Sequence, residues 1–596
     1  MARTMARSNT IGVAMNRLGR NLIYGSKISA TLAFLLVAIF PLLYAVSRLE
    51  SVTSMSSLEA IGNFFEEEKM LSALKFSMLE ASISMLVTIV IGLPLAWILG
   101  RYKWKRIRLY RSLLTLPFVM PSIIVAMGFL MLIEDGGLLT MIGIDLRLET
   151  GLVGDLANIT GWINPGHFIA LVLAHAWFNT SLVIRFVEPT LSTLDKSWEE
   201  QMRFLPQGKS LAGKLKHLWA PIIGPAVMCA ACLSFIFSFT SFALIRWLTP
   251  NQNNLENLMA QSGGSAGIYG YRVDTSEIVL STSLVQFLIL IFALYLTANM
   301  QSRHTKIHSQ VSERSAISVK SEPNQFAKAI LILGVGFCLL PLSLIVKSSF
   351  MIRDIKNERF YYSFEAWKEA WGGDYSTTSI PEALSNSLLY AMITLAVSLP
   401  IGYLISSFIC DLEKSGRHKL AKIIDISAMI PLALSGVMIG LGILLGLLKW
   451  SPELFNWNII PAVPHIVLTT PFVIRILLPA MRSIDPIFKE QGLILKMSGV
   501  KLWWHSKMAF LRAPLVVSGS LTIAFSLGEF GASWILVRSG SWDTLSILID
   551  QLMAQPKYDP LIQPMAMAAA TVLMIITLLL FAIAEWFRPN NEGSGF

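Results

Sequence analysis

The sequence is too apolar for a set of soluble domains. Of its 596 residues, 54% are hydrophobic and only 14% are charged, and the mean hydropathy is +0.60. The net charge of +10 comes from basic residues that are spread between apolar runs rather than gathered in one patch, which argues against nucleic-acid binding. The composition therefore predicts an all-α integral membrane protein.

Twelve apolar runs are long enough to cross a bilayer as helices, since a span takes about 20 residues. They cover approximately 28–46, 77–99, 113–133, 167–187, 220–245, 277–299, 328–346, 385–409, 424–448, 461–481, 514–537 and 561–586. With a cytoplasmic N-terminus, inside segments hold 32 of the 48 Lys and Arg and outside loops hold 13, as the positive-inside rule requires. We expect a multi-pass protein of the inner (cytoplasmic) membrane with both termini cytoplasmic. Since the first run lacks a small-residue cleavage site, it is predicted to be an uncleaved helix.

The chain repeats itself. LVLAHAWFNTSLVIRFVEPTLSTLD, ending at Asp195, matches PAVPHIVLTTPFVIRILLPAMRSID, ending at Asp485, and Ser77 and Gly92 of the second span recur 310 residues later as Ser387 and Gly402. Each half has an even number of spans, so the two copies are parallel and related by a pseudo-two-fold axis along the membrane normal. The predicted domains are a cytoplasmic segment 1–27, a six-helix half 28–299, a flexible cytoplasmic linker 300–327, a six-helix half 328–587 and a cytoplasmic tail 588–596.

A polar loop of about 30 residues lies between the fourth and fifth spans of each half, and each reads as helix, break, helix. Asp195 and Asp485 are suited to cap the first helix of each loop. Acidic residues sit early in that helix, where its dipole favours negative charge, and a glycine permits each bend. These residues are Glu199, Glu200 and Glu490, with Gly208 and Gly499 at the bends. A polar loop with this much order and apolar content predicts a protein partner.

Each loop resembles the "EAA" loop of permease subunits in binding-protein-dependent ABC importers, whose pattern is Glu-Ala-Ala, then Gly, then a hydrophobic pair ending in Leu-Pro. The motif is degenerate here: Gln201 and Met202 follow Glu200, and Glu490, Gln491 and Gly492 fill the same places in the second half. SFTSFAL (238–244) and SLGEFGA (526–532) are similar to segments of the fused, double-length permeases that import ferric iron or thiamine.

This resemblance implies a type I ABC importer permease with a solute path between two six-helix halves. Its implied partners are two copies of a cytoplasmic ABC ATPase, an external solute-binding protein and membrane lipid. ATP and Mg²⁺ would belong to the ATPase, so the chain is expected to be no enzyme and to hold no catalytic residue, cofactor or metal. The expected apolar anchors for the ATPase are Leu205, Leu211 and Leu215 in the first loop and Leu495, Val500 and Trp503 in the second.

Three ionisable residues within predicted spans are candidates for the path or its gate. His175 and His465 are matched in the repeat, and Glu529 lies among small residues that leave room for a kink. For the two histidines, the sequence favours the alternative interpretation as partners in interhelical hydrogen bonds.

Two other functions stay open. A twelve-span secondary transporter of the major facilitator type also has parallel halves, and DLEKSGRHK (411–419) faintly resembles the acidic Gly-Arg-Lys loop of that class. A non-transporting scaffold is less suited to two matched loops.

Overall fold

The fold is almost entirely helical and is described from a computed structural model. The structure describes the chain except residues 1, 135–136, 147–164, 195, 251, 266–272, 315–320, 355, 357–358, 374–377, 448–449, 458, 538–541, 557 and 588–596. The predicted tail 588–596 therefore lies outside the described residues.

The helices of the first half run in chain order from the N-terminus into the linker. They are α1 (Ala2–Thr53), α2 (Ser57–Glu66), α3 (Glu68–Arg101), α4 (Ile107–Thr115), α5 (Ser122–Ile133), α6 (Leu138–Met141), α7 (Pro165–Thr193), α8 (Lys196–Arg203), α9 (Leu211–Lys214), α10 (Ala220–Phe239), α11 (Ala243–Leu248), α12 (Leu255–Ser265) and α13 (Val273–Arg314). A π-helical turn, Leu215–Trp219, joins α9 to α10.

Among the described residues, the second half repeats this order with two differences: it has a small hairpin after its first span, and a 3-10 turn, Pro452–Asn456, stands in place of α6. Its helices are α14 (Gln325–Ser348), α15 (Glu365–Gly372), α16 (Ile380–Lys414), α17 (His418–Met429), α18 (Gly436–Leu441), α19 (Ala462–Arg482), α20 (Ile487–Ile494), α21 (Gly499–Trp503), α22 (Ala509–Gly528), α23 (Gly531–Leu536), α24 (Leu545–Ala554) and α25 (Ile562–Trp586). Strands β1 (Met351–Asp354) and β2 (Arg359–Tyr362) pair antiparallel, with Met351 opposite Tyr362.

Eleven helices in the described part of the chain are long and apolar enough to cross a membrane, which confirms the membrane fold class. The twelfth predicted run, 424–448, is wrong as a continuous helix. It breaks after α17 because Pro431 has no backbone N–H to donate, and α18 begins where Ser435 caps the backbone N–H of Met438. The matched third span breaks in the same way between α4 and α5.

The first span of each half packs on the opposite half. Gly128 of α5 lies so close to α14 that a Cβ added there would meet the Pro341 Cβ at 2.9 Å, and a Cβ at Gly446 would meet the Pro41 carbonyl oxygen of α1 at 2.3 Å. Only glycine permits such approaches. The Lys27 ammonium of α1 also pairs with the Asp411 carboxylate of α16 at 2.5 Å. The halves are therefore interlocked rather than merely adjacent.

The repeat predicted from the second span is confirmed by matched contacts. Ser77 accepts a hydrogen bond from the Leu255 backbone N–H at 3.1 Å, and Ser387 accepts one from the Leu545 N–H at 2.9 Å. Both donors are the first residues of the matched helices α12 and α24, so each second span fixes the start of the same helix in its own half.

The predicted flexible linker is wrong over its first part. Residues 300–314 continue the sixth span as the end of α13, and His304 lies within hydrogen-bond distance of Thr190, with Nε2 3.1 Å from Oγ1. After residues 315–320, which lie outside the described residues, the Ser321 backbone carbonyl accepts a hydrogen bond from the Lys103 N–H at 2.8 Å. Similarly, the predicted N-terminal segment 1–27 is helical from Ala2 onward as part of α1.

Candidate functional site

Phe242 and Phe530, which occupy matched positions of the repeat, meet between the halves. The fifth spans α10 and α22 each rise from a polar loop, and each is followed by a six-residue helix, α11 or α23. Phe242 and Phe530 directly precede these short helices, and their rings stack with centroids 5.4 Å apart. Residues related by a pseudo-two-fold axis can touch each other only near that axis, so this pair marks it.

The stacked pair lies at the end of the bundle opposite the polar loops. We call these ends the far end and the loop end, the latter carrying residues 196–219 and 487–508. The 20 residues of α10 separate the two ends by about 30 Å. The stacked rings of Phe242 and Phe530 therefore fill the space between the halves where the axis reaches the far end.

A second aromatic layer lies nearer the loop end. Phe237 and Phe525 are each five residues before the stacked pair, about one and a half helical turns. Both contact the ring of Phe118, from the break in the third span, at centroid distances of 5.9 and 5.7 Å. We call these five phenylalanines the axial gate.

An ion pair joins the two halves beside the axial gate. Arg246 of α11 donates two hydrogen bonds to Asp550 of α24, at 2.8 and 3.1 Å. The indole N–H groups of Trp247 and Trp534 donate to the same carboxylate at 2.9 and 3.0 Å. Asp550 is only 4% exposed, so its charge is stabilised by the Arg246 guanidinium and the two indole N–H groups rather than by water.

The ion pair is not repeated on the other side of the axis. Arg246 matches Trp534, since both lie four residues after the stacked phenylalanines, and its guanidinium sits 4.9 Å from the Trp534 ring centroid. Asp550, five residues after Leu545, matches Ala260, five residues after Leu255. We call the four residues Arg246, Trp247, Trp534 and Asp550 the axial clasp.

The two predicted path histidines are both buried beside a carboxylate. His175 of α7 lies with Nδ1 2.5 Å from the Glu80 carboxylate of α3, and Ser84 also donates to that carboxylate at 2.7 Å. His175 and Glu80 are 2% and 0% exposed. This pair joins the second and fourth spans of the first half and does not reach the axial gate.

The fold brings His465 and Glu529, which are far apart in the sequence, into contact. Glu529 ends α22, and its carboxylate accepts hydrogen bonds from the Ala532 and Ser533 N–H groups of α23 at 2.7 and 2.9 Å. His465 Nε2 lies 3.3 Å from the same carboxylate, and its Nδ1 lies 2.8 Å from Ser526 Oγ. Glu529 and Phe530 connect α22 to α23, and we call this connection the hinge. The hydrogen bonds to Glu529 therefore hold in place the residue next to Phe530, which forms one wall of the axial gate.

The first polar loop is tied to the second span. The Arg101 guanidinium, at the end of α3, donates to the Glu199 carboxylate and to the Leu194 carbonyl, and it lies over the Trp219 ring. Gly208 is buried against the backbone of Met202, where a Cβ would overlap the carbonyl oxygen. Glu200 is exposed. Glu199 is therefore a link between loop and span, while Glu200 faces outward.

Three apolar side chains in the described part of the first loop are uncovered, whereas Met202, Leu218 and Trp219 are buried. Leu205 and Leu215 are exposed, and Phe204, which the sequence analysis did not single out, is 88% exposed. The side chain of Leu211 and all of Asp195 lie outside the described residues. An exposed phenylalanine at the turn after α8 is unusual for a surface that meets only water.

The second loop has the same form and a similar exposed surface. The Asp485 carboxylate accepts the Ile487 N–H at 2.9 Å at the start of α20, and Gly499 has φ +56°, which lets α21 begin at an angle to α20. Leu495 and Val500 are exposed, as is Glu490. Ile494, another residue the sequence analysis did not single out, is 79% exposed.

Trp503 differs from the other predicted anchors because it faces the bundle. Its indole N–H donates to the Tyr403 hydroxyl of α16 at 2.7 Å, and the two rings meet edge to face. The neighbouring Trp504 is the exposed tryptophan of this loop. Trp503 therefore links the second loop to a span, as Glu199 does in the first loop.

A comparison with known families identifies the architecture. The family described as "Binding-protein-dependent transport system inner membrane component" matches residues 92–306. The sulfate transport system permease protein CysW of Escherichia coli (strain K12) is 30% identical over 217 residues, which is 35% of this chain and 73% of that protein. The chain belongs to this family. It is thus an integral multi-pass permease of a binding-protein-dependent ABC importer and no enzyme, and membership implies an ATPase and a solute-binding protein as partners.

One relative is similar along nearly the whole permease. The thiamine transport system permease protein ThiP of Haemophilus influenzae is 22% identical over 559 residues, 90% of this chain and 94% of ThiP. A sulfate permease, CysT of Salmonella typhimurium, is 22% identical over 216 residues, 36% of this chain and 71% of CysT. The double-length recognition is confirmed, and the secondary-transporter alternative is wrong.

The axial gate and clasp were missed in the sequence analysis, although one signal for them was present. SFTSFAL and SLGEFGA are similar to each other as well as to segments of other permeases. Aligned on their first serines, they place Phe242 on Phe530 and Arg246 on Trp534. Asp550 carries no such signal, because nothing in the apolar segment around it indicates which arginine it meets.

Proposed function

We propose that this permease forms the solute path of an ATP-driven importer whose two loops each dock one copy of a cytoplasmic ATPase subunit. The observation that carries this proposal is the pair of exposed apolar turns: Phe204 and Leu205 in the first loop match Ile494 and Leu495 in the second, each 290 residues later. Matched apolar surfaces at the same end of both halves suit two copies of one partner, which would supply ATP and Mg²⁺.

The contacts behind each turn would carry the motion of the ATPase into the bundle. Glu199 is bound by Arg101 at the end of the second span, and Trp503 is bound by Tyr403 of the matched span. Movement of either loop therefore pulls on a membrane helix, and closure of the two ATPases would move both halves together. With the far end occupied by the axial gate, we assign this conformation to a state closed toward the solute-binding protein.

The loop end is proposed to face the cytoplasm, with both termini on that side. The excess of Lys and Arg in the segments of this end supports the orientation. The far end, with the β1–β2 hairpin, would then meet the solute-binding protein.

Thiamine is the proposed substrate, because the similarity to ThiP extends over both halves. Sulfate is the second candidate, favoured by the higher identity to CysW over one half. Ferric iron rests on the resemblance of short segments alone, since the relatives described above are named for sulfate or thiamine.

Co-purification of the ATPase tests the docking proposal. The double variant Leu205→Asp/Leu495→Asp is expected to lose the ATPase and all substrate-stimulated hydrolysis, because one buried charge would oppose the apolar contact at each dock. Tyr558→Asp, an 87% exposed aromatic at the far end, is the matched control and is expected to keep both. Retention of the ATPase by the double variant at wild-type level would exclude these turns as docks.

Transport into vesicles by the assembled importer tests the substrate. Labelled thiamine, sulfate and ferric iron are supplied separately with a candidate binding protein, and uptake of thiamine that requires ATP is the expected result. Uptake of sulfate without thiamine uptake would replace the proposed substrate with the second candidate.

A further inference from the structure

The axial clasp has the composition of a binding site for a flat cation. Arg246 presents a planar guanidinium to the face of Trp534, 4.9 Å from the ring centroid, while its Nε–H and Nη2–H groups donate to the two oxygens of Asp550. An aromatic face together with a desolvated carboxylate is how proteins hold organic cations. Here the occupant is a side chain of the opposite half.

The occupant and its site separate when the halves move apart. Arg246 and Trp247 belong to α11 of the first half, whereas Trp534 and Asp550 belong to α23 and α24 of the second. Trp534 keeps its own hydrogen bond to Asp550 at 3.0 Å whatever Arg246 does. Opening of the far end therefore removes the guanidinium and leaves the indole and carboxylate assembled.

The vacated pair would stand on the solute path. Trp534 contacts Phe242 with ring centroids 5.3 Å apart, so it borders the axial gate. Asp550 is nearly buried and bears a charge whose partner has left, which is unfavourable unless another cation replaces it. A solute that enters as the gate opens is the available replacement.

From this geometry we propose that Asp550 and Trp534 form a transient subsite for a planar organic cation, and that Arg246 occupies it while the gate is closed. The subsite deepens the proposed function and rests on it, because thiamine carries an aromatic cationic ring. Exchange of Arg246 for the solute would keep Asp550 neutralised in both states. It would also favour opening only when a cation of suitable shape is present.

Two single variants of the complete importer separate the subsite from the clasp. Arg246→Gln and Asp550→Asn both abolish the ion pair, but only Arg246→Gln leaves the carboxylate and the indole free for a ligand. Equilibrium binding of labelled thiamine and of labelled sulfate is measured on each variant in lipid nanodiscs, without the binding protein. Arg482→Gln, which removes an exposed pair with Glu413, is the control for loss of an ion pair.

Thiamine is expected to bind Arg246→Gln at least about ten-fold more tightly than wild type or Asp550→Asn, equivalent to one desolvated charge contact of about 1.4 kcal/mol. Trp534→Leu in the Arg246→Gln background is expected to remove that gain, and it keeps the test valid if Asp550→Asn fails to fold. Equal thiamine binding by Arg246→Gln and Asp550→Asn would overturn the proposal. So would sulfate binding to Asp550→Asn without a thiamine gain in Arg246→Gln, since the freed arginine would then be the site.

Failure of the substrate proposal gives a different result. Suppose that vesicles take up sulfate and no thiamine, and that labelled guanidinium ion binds Arg246→Gln ten-fold more tightly than it binds Asp550→Asn. The subsite then stands and thiamine is the wrong cation. If vesicles take up thiamine while both variants bind it equally, the proposed function stands and the subsite does not.

Discussion

His175 and His465 occupy matched places in the repeat, yet they bind acids from different parts of their halves. Glu80 comes from the second span, whereas Glu529 comes from the hinge between the fifth span and α23. The position matched to Glu80 is Tyr390, whose ring meets the His465 ring edge to face. The first half thus uses its buried acid to join two spans, while the second half uses it to hold a wall of the axial gate.

This contrast shows that duplication preserved the histidine but not its task. A buried histidine needs a polar partner. The helices that surround each histidine determine which residue that partner is. Because Glu529 lies on the hinge, the hydrogen bond that satisfies His465 also restricts the movement of the axial gate. We therefore expect substitutions in the two halves to differ in kind as well as in size.

The largest difference is expected at the hinge. Glu529→Ala removes the acceptor for the Ala532 and Ser533 N–H groups and leaves His465 without its acid, so we expect a loss of about 3 kcal/mol. The matched substitution Ser241→Ala is expected to cost less than about 1 kcal/mol. Thermal unfolding of both variants in nanodiscs measures the contrast, which would disappear if the two midpoints were equal.

A subtler change separates stability from gating. Glu80→Gln and Glu529→Gln keep the shape of each side chain but remove its charge, and each is expected to cost about 1–2 kcal/mol. Only Glu529→Gln is expected to change the transport rate, because only that acid lies on the hinge of the axial gate. Uptake by vesicles at matched protein levels is the measurement, and an equal loss of rate in both variants would contradict the assignment.

The crossings of the first spans provide the next contrast. Gly446→Ala forces a methyl group against the Pro41 carbonyl oxygen at 2.3 Å, whereas Gly128→Ala meets the Pro341 Cβ at 2.9 Å. We expect a cost of about 2–3 kcal/mol for the first and about 1–2 kcal/mol for the second. Gly336→Ala in α14, with open space around it, is the control and should stabilise by about 0.5 kcal/mol. Thermal unfolding should rank the three variants in this order.

The smallest expected effect is at the second spans, where two matched substitutions should cost the same free energy of unfolding. Ser77→Ala and Ser387→Ala each leave one buried backbone N–H unpaired, so both are expected to cost about 1 kcal/mol. Ser343→Ala, an exposed hydroxyl on α14, should be neutral. A difference of more than about 1 kcal/mol between the first two would show that the second spans do not anchor α12 and α24 alike.

Much of the fold could be predicted because it depends on local patterns. Apolar runs of sufficient length specify spans, and the recurrence of Ser77 and Gly92 as Ser387 and Gly402 identified the two halves before any contact was known. The break at Pro431 was harder to place, since proline is tolerated in spans where neighbours satisfy the freed carbonyl groups. Ser435 caps the new helix four residues later, whereas the matched helix α5 begins after Pro121 without a side-chain cap, so the cap alone does not mark such a break.

The gate was less predictable because it depends on contacts between halves. A single sequence shows that Phe242 and Phe530 are matched, but not that matched residues meet. The pairing of Arg246 with Asp550 joins positions 304 residues apart, and no periodicity encodes that distance. Trp503 illustrates the same limit within one loop, since helical spacing alone cannot distinguish a tryptophan that binds Tyr403 from one that awaits a partner.

The interlocked first spans impose an order on how this protein can be made. Proteins emerge from the ribosome N-terminus first, so Lys27 reaches the bilayer 384 residues before Asp411, its partner on α16, has been synthesised. Until then the face of α1 that packs on the second half can meet only lipid or a substitute helix, while its other contact is with α13 of its own half. A truncated first half would lack this partner permanently. Assembly of the permease is therefore completed late, when the second half closes around a helix that was inserted at the start.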